Sequence, residues 1–154
     1  MRRLLVIVLV GPGAAAAQDL AVDVAVVRAC HDAARAGDLS PPCVGAAADA
    51  CQALPGGDTT LGISECLLAE TYVWADLMQA EYERQAAALS AAPGDLGMQL
   101  AAAQAAWGAY REAECGLRYG YWIEGSIRTI MAADCHLEKT AARARELRDL
   151  GAME

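Results

Sequence analysis

Six cysteines, Cys30, Cys43, Cys51, Cys66, Cys115 and Cys135, limit what this 154-residue chain can fold into more than any other feature. None of them forms Cys-x-x-Cys, so neither a thioredoxin-type redox site nor a zinc ribbon is signalled. Cys30-His31 and Cys135-His136 look like metal pairs. Adjacent helical residues point about 100° apart, however, and do not easily share an ion. An even cysteine number in an exported chain reads as disulfides, and many connectivities stay open. Neighbour pairing, Cys30–Cys43, Cys51–Cys66 and Cys115–Cys135, is preferred because each loop then encloses a break signal. Those signals are Ser40-Pro41-Pro42, Pro55-Gly56-Gly57, and Gly120 with Gly125. In the chain-entropy account each closure contributes about 2–4 kcal/mol.

Export is read from the first residues. MRRLLVIVLVGPGAAAAQD has two arginines, an apolar run from Leu4 to Val10, and small residues closing in Ala15-Ala16-Ala17. This is the pattern of a secretory signal over residues 1–17, cleaved between Ala17 and Gln18. The run is too short to span a bilayer, which takes about 20 residues. Val27-Arg28-Ala29 before Cys30 does not make a lipoprotein signal. A periplasmic or secreted protein is expected, without stable membrane insertion once the signal is removed.

The charge balance of 12 Lys and Arg against 20 Asp and Glu gives −8, and losing Arg2 and Arg3 with the signal makes it ten against twenty, or −10. Clustered cations for phosphate are missing, which argues against nucleic acid as a partner. The sequence has no Phe and is rich in Ala, so a core of this size gains from covalent closure.

Periodicity predicts an all-α, disulfide-stapled bundle of about three main helices plus short N-terminal ones. Leu20 to Ala36 reads as helix, and a short piece, Cys43 to Leu54, follows the double proline. Pro55-Gly56-Gly57-Asp58 breaks the chain. A long helix from Leu61 to Ser90, capped by Thr59, Thr60 or Ser64, carries Leu67, Thr71, Trp74, Leu77 or Met78, Tyr82 and Leu89 on one face. A third starts near Asp95, with Leu96, Leu100, Ala103, Trp107, Tyr110 and Glu114 at steps of four and three. That stripe places Trp107 and Tyr110 in the core. Residues 116–126, GLRYGYWIEGS, look least helical. Ser126 caps a last helix to about Leu150, where Arg143, Arg145 and Arg148 favour the helix dipole.

The motif AQAAWGAYREAEC, set between a Pro-Gly break and an aromatic loop ending in Gly-Ser, resembles the LprI-type lysozyme inhibitor domain. Cys66, Asp76, Leu77 and Tyr82 match that family's first element. Ala103, Gln104, Trp107, Tyr110, Arg111 and Cys115 match its second, and Gly125, Ser126 and Cys135 its third. Met78, Glu112 and Glu124 depart from the family pattern, which holds Asn, Asp and Gly at those places. The resemblance divides the chain into an N-terminal helical extension, 18–57, and an LprI-like domain, 58–150. Arg111 is expected to pair with Asp76 or with carbonyls of the Gly125 loop.

The resemblance implies a protein that binds and inhibits a lysozyme. An acidic chain meets a basic lysozyme with long-range attraction. Arg118, Tyr119, Tyr121, Trp122 and Glu124 are the candidate partner-binding residues, because aromatics and arginine dominate binding hot spots. The competing expectation for Trp122 is that it folds back over the helix ends. The alternative function is a non-catalytic envelope adaptor or structural protein sharing the domain. Catalysis is not expected. Glycosidase chemistry needs two carboxylates facing one another across a cleft, and Glu112 and Glu114 face different ways on a helix. No nucleophile pairs with His31 or His136 if the cysteines are oxidised. No cofactor, metal or catalytic residue is expected.

Overall fold

The computed structural model describes residues 20–152; the expected signal, 1–17, and its cleavage point lie outside them. Five helices follow one another: α1 Val24–Ala33, α2 Ala46–Gln52, α3 Thr60–Ser90, α4 Leu96–Tyr121 and α5 Arg128–Arg148. There is no strand among the described residues, and the all-α expectation holds, with three long helices and two short ones. None of them is long and apolar enough to cross a membrane.

Local chemistry sets several boundaries. Asp23 starts α1 by accepting a hydrogen bond from Ala25 N at 2.8 Å, so the helix is shorter than the expected Leu20 to Ala36. The second piece also contracts, to Ala46–Gln52. Thr59 caps α3 as expected, its hydroxyl oxygen accepting from Gly62 N at 2.9 Å. Gly62 has a second role: a Cβ there would collide with the Gly56 carbonyl, so glycine lets the first turn of α3 press against the preceding loop. Ser126 is not the α5 cap. Ile127 stands at that position with no side-chain bond.

Helix α3 is the spine, 31 residues or about 46 Å long. Helix α5 lies along it in the same direction, since Gln85 near the end of α3 bonds Leu147 O near the end of α5. Helix α4 runs back antiparallel between them in sequence and leans mainly on α5. Trp74 is the centre of the core, fully buried with Leu137, Ala141 and Ala144 of α5, Val27 of α1, and Ala47 and Ala48 of α2. The alanines allow close helix approach, so an alanine-rich sequence without Phe still packs densely around one indole. The expected α3 stripe is present: Leu67, Thr71 and Trp74 are buried, and Leu77, Met78, Tyr82 and Leu89 half-buried.

All three disulfides follow neighbour pairing: Cys30–Cys43, Cys51–Cys66 and Cys115–Cys135. The first joins the end of α1 to the loop before α2, the second α2 to α3, and the third α4 to α5.

Side chains from one helix finish the ends of another. Glu70 of α3 is fully buried. Its carboxylate accepts from Gly45 N at 2.8 Å and Ala48 N at 2.7 Å, at the start of α2, and from Trp74 Nε1 at 3.1 Å. The guanidinium of Arg145, also fully buried, donates to the carbonyls of Asp38, Arg35 at 2.8 Å, and His31 at 3.4 Å. Arg148 donates to the carbonyls of His31 and, at 3.0 Å, Ala34. Burial, then the neighbouring Arg148, lowers the pKa of Arg145 from its ordinary value against the opposing pull of Asp149 and Asp38. Two of the arginines assigned above to the α5 dipole therefore close the C-terminal end of α1 instead. Arg143 alone stays apart from α1, bonded to Gln104 and Glu146.

Asp149 completes the joint. Its carboxylate accepts from Gly37 N at 2.8 Å and from Arg148 Nε at 2.6 Å. Burial raises its pKa, but the hydrogen bonds of Arg148 and Gly37 and the charges of Arg148 and Arg145 outweigh that and hold it below the ordinary value. A carboxyl lowered on folding adds stability that is complete above the unfolded pKa and fades as pH falls through the folded one.

Glu70→Gln keeps the shape and puts an amide donor against one of three donors. We expect it to lower the unfolding free energy by about 2–3 kcal/mol in denaturant titration, while exposed Glu65→Gln stays within about 0.5 kcal/mol. Asp149→Asn is expected to lose about 1–3 kcal/mol at neutral pH, the gap closing as pH drops below about 4. A gap that stayed constant down to about pH 2 would count against the assignment.

Candidate functional site

The candidate site is the turn between α4 and α5. Helix α4 runs through Tyr121, so residues 116–121, expected to be the least helical, are its last turns and only 122–127 form the turn. The helix buries just Leu100 and Cys115. Its expected core stripe is only half covered, because α5 flanks one side of it and little flanks the other. Trp107 is half-buried and Tyr110 is 51% exposed, which corrects their placement in the core.

The motif residues instead form a polar seam with α5. Gln104 accepts from Arg143 Nε at 2.9 Å and faces Met78 Sδ at 3.6 Å. Lys139 Nζ donates to the Tyr110 hydroxyl at 3.1 Å and lies over the ring at 5.2 Å. Arg111 stacks over Trp107 at 5.0 Å and donates to Glu112 Oε1 at 2.7 Å and to the buried Thr140 hydroxyl at 3.3 Å. The expected pairing with Asp76 or the Gly125 loop is overturned: Asp76 is exposed, and Thr140 and Glu112 are nearer to hand. The Arg111 hydrogen bond holds the Glu112 carboxyl below its ordinary pKa, against slight burial. Burial lowers His136, with Glu112 pulling the other way.

Arg128 takes the Gly125 loop that had been assigned to Arg111. It donates to Ile123 O at 3.3 Å, Gly125 O at 3.1 Å and the Tyr119 hydroxyl at 3.0 Å, and lies over the Tyr119 ring at 5.7 Å. Sequence reading missed it, although a cation in the first turn of a helix opposes the dipole and was a readable signal. Together with the Cys115–Cys135 bridge, Arg128 pins the turn from inside.

What the pinned turn presents is apolar. Tyr121 is 79% exposed and Leu117 65%, beside Ile123, Trp122 and Ile127 at 41–51%. Tyr121 and Trp122 meet edge to face at 5.5 Å, and Trp122, 42% exposed, is not folded away over the helix ends. Glu124 is exposed at the tip. Tyr119 faces Arg128 and sits at the margin. Arg118 lies further back and is occupied, bonded to Glu138 Oε2 at 3.1 Å with Glu114 at 3.5 Å. Burial lowers its pKa, but these two acids more than reverse that. Asp134 behind it is raised by burial and by Glu138. Of the five candidate binding residues, the structure thus gathers Tyr121, Trp122 and Glu124 at the tip, with Tyr119 supporting them and Arg118 held behind.

Of the remaining motif residues, Leu77 and Tyr82 are half-buried, Gly125 supplies its carbonyl to Arg128, and Ser126 its carbonyl to Thr129 at 3.4 Å. Among the described residues no three His, Cys, Asp or Glu side chains stand close enough to hold an ion, and each cysteine is disulfide-bonded. His31 lies against Trp74 at 5.9 Å with Glu81 Oε1 3.7 Å from its Nε2.

Neither a curated protein nor a solved structure matches the chain. A family model described as "Lysozyme inhibitor LprI" does match, over residues 51–147. The match opens at Cys51 of α2, spans both α3 and the α4–α5 seam, and covers more than half of the sequence. The chain belongs to the LprI lysozyme inhibitor family.

Proposed function

We propose that this chain is an exported protein that binds and inhibits a lysozyme through the tip of the α4–α5 hairpin. The observation that carries this reading is the exposure of Tyr121, 79%, on a turn that Arg128 and the Cys115–Cys135 bridge hold rigid. Tyr121, Leu117 and Ile123 cover no part of the core, and a cluster of exposed apolar side chains on a firm support is what a binding surface requires. Rigidity reduces the ordering cost on association. Large aromatic anchors then contribute most of the affinity.

Glu124 extends from the same turn and is suited to meet donors lining a glycan-binding cleft. The acidic surplus, −8 over the full sequence, accelerates encounter with a basic enzyme. The family description supports the choice of partner class. Residues 1–17 supply the export signal in this reading, and 18–57 serve as an extension that braces the family domain through Arg145, Arg148 and Glu70.

Cell-wall lysis by animal-type, goose-type and invertebrate-type lysozymes, titrated with the oxidised mature chain, tests the proposal. One class should be inhibited. Tyr121→Ala/Trp122→Ala should raise the half-inhibitory concentration by about thirty-fold, the ratio set by about 2 kcal/mol at a hot spot. Inhibition untouched by the double substitution would move the surface elsewhere. With no inhibition of any class at micromolar protein, the envelope-adaptor reading would replace this one.

A further inference from the structure

No uncharged form of the His31 ring satisfies its surroundings. His31 lies in the last turn of α1 and is 3% exposed. Its Nε2 is buried without a hydrogen-bond partner among the described residues. Carboxylates nevertheless stand at both ring nitrogens: Asp32 Oδ1 is 3.2 Å from Nδ1, and Glu81 Oε1 of α3 is 3.7 Å from Nε2. A neutral imidazole has one N–H and one lone pair. Whichever tautomer forms, it turns the lone pair toward one of the two carboxylates. Only the doubly protonated ring donates in both directions.

The groups around the ring differ in what they meet. From α3, Glu81 has its other oxygen occupied by Arg84 Nε at 2.7 Å, which leaves Oε1 on the side of the ring. Trp74 packs against the ring at 5.9 Å. From α5, Arg145 at 3.4 Å and Arg148 donate to the backbone carbonyl of His31, and Asp149 is bonded to Arg148. The two guanidiniums oppose a positive ring, but they meet its carbonyl, whereas the carboxylates meet the nitrogens that carry the charge. Coulombic attraction falls with distance, so the nearer acids decide the sign. Asp32 is exposed and screened by water. Glu81, with a side chain only 16% exposed, is the principal partner.

We propose that His31 and Glu81 form a proton-operated latch that holds α1 on α3. As pH falls through the histidine range, the ring takes a second proton from solvent, Nε2–H closes onto Glu81 Oε1, and α1 docks more firmly. Docking and proton uptake are linked, because the docked state binds the added proton more tightly than the open one. The stability so gained is complete on the acid side of the histidine range, near about pH 5, and is lost as pH rises toward about 8. The helix that the latch moves lies outside the family match of residues 51–147, and the device does not depend on the lysozyme reading. Cys30–Cys43 keeps α1 tethered when the latch is open.

Backbone amide hydrogen exchange of the oxidised chain tests the latch. The quantity read is protection of α1, residues 24–33, relative to intrinsic rates, at about pH 5 and about pH 8. Protection should be about ten-fold greater at the lower pH, the size of one close charge pair. Glu81→Gln should reduce that ratio to about two-fold or less, and His31→Gln should do the same. His136→Gln, which removes the other of the two histidines, should keep the ratio of the unaltered chain. Each variant is compared with itself at two pH values, so a constant loss of stability does not enter. Glu81→Gln, at the edge of the core, carries the test alone where His31→Gln fails to fold.

The inference is overturned by equal protection at the two pH values, by greater protection at the higher one, or by a dependence that survives Glu81→Gln. A dependence lost in His136→Gln would belong to the other histidine and overturns it as well.

Discussion

Helix ends leave backbone donors and acceptors without partners, and in this protein side chains reaching over from other helices satisfy them at the start of α2 and at the ends of α1 and α5. Helices of ten and seven residues, α1 and α2, are too short to persist alone. Glu70 supplies the acceptor for the start of α2, and Arg145 with Arg148 supplies donors for the end of α1. Burying a carboxylate and a guanidinium is costly unless each is well bonded; both oxygens of Glu70 and all three nitrogens of Arg145 have a partner. Removing either partner would leave a charge or several backbone groups stranded inside the core. The disulfides Cys30–Cys43 and Cys51–Cys66 close the same region covalently, so the N-terminal segment is held by bonds of two kinds. Trp74 sits where these systems converge, its indole N–H on Glu70 and its edge against His31.

The other half of the molecule is built on a different principle. Helix α4 contributes almost nothing to the core and is held to α5 by a row of polar and stacked contacts, Gln104–Arg143, Tyr110–Lys139 and Arg111–Thr140, ending in the Cys115–Cys135 bridge. Such a seam fixes register without consuming large apolar side chains. The aromatics and aliphatics near the end of α4 are therefore left for the surface. A rigid core on α3 and α5, with a hairpin tip braced by Arg128, is a sound way to present Tyr121 and Trp122 to a partner.

Much of this was legible in the sequence, for identifiable reasons. Each cysteine pair encloses a Pro or Gly break, so neighbour pairing was the arrangement that local geometry favoured. The stripe Leu67–Thr71–Trp74 pointed to the core because α1, α2 and α5 all cover it. Trp107 and Tyr110 lie on an equally regular stripe and were misplaced. Periodicity marks a face but does not say how many neighbours will cover it, and α4 leans mainly on α5. Arg111 was assigned to the wrong acceptor because its true one, Thr140, lies 29 residues away with no local pattern linking them. Glu70 and Arg145 were invisible for the same reason: a cap supplied from a distant helix has none of the spacing that makes a local cap readable. The tip residues could be nominated by type, but only the fold separates exposed Tyr121 from occupied Arg118.

The central claim is that the braced α4–α5 tip is the surface that meets a lysozyme. Backbone amide hydrogen exchange of the oxidised chain, with and without an excess of a lysozyme that binds it, tests this directly. The account predicts slowed exchange concentrated in peptides covering residues 117–127, with α1, α2 and the far end of α4 unchanged. Protection confined to other regions, with 117–127 exchanging as in the free protein, would contradict it.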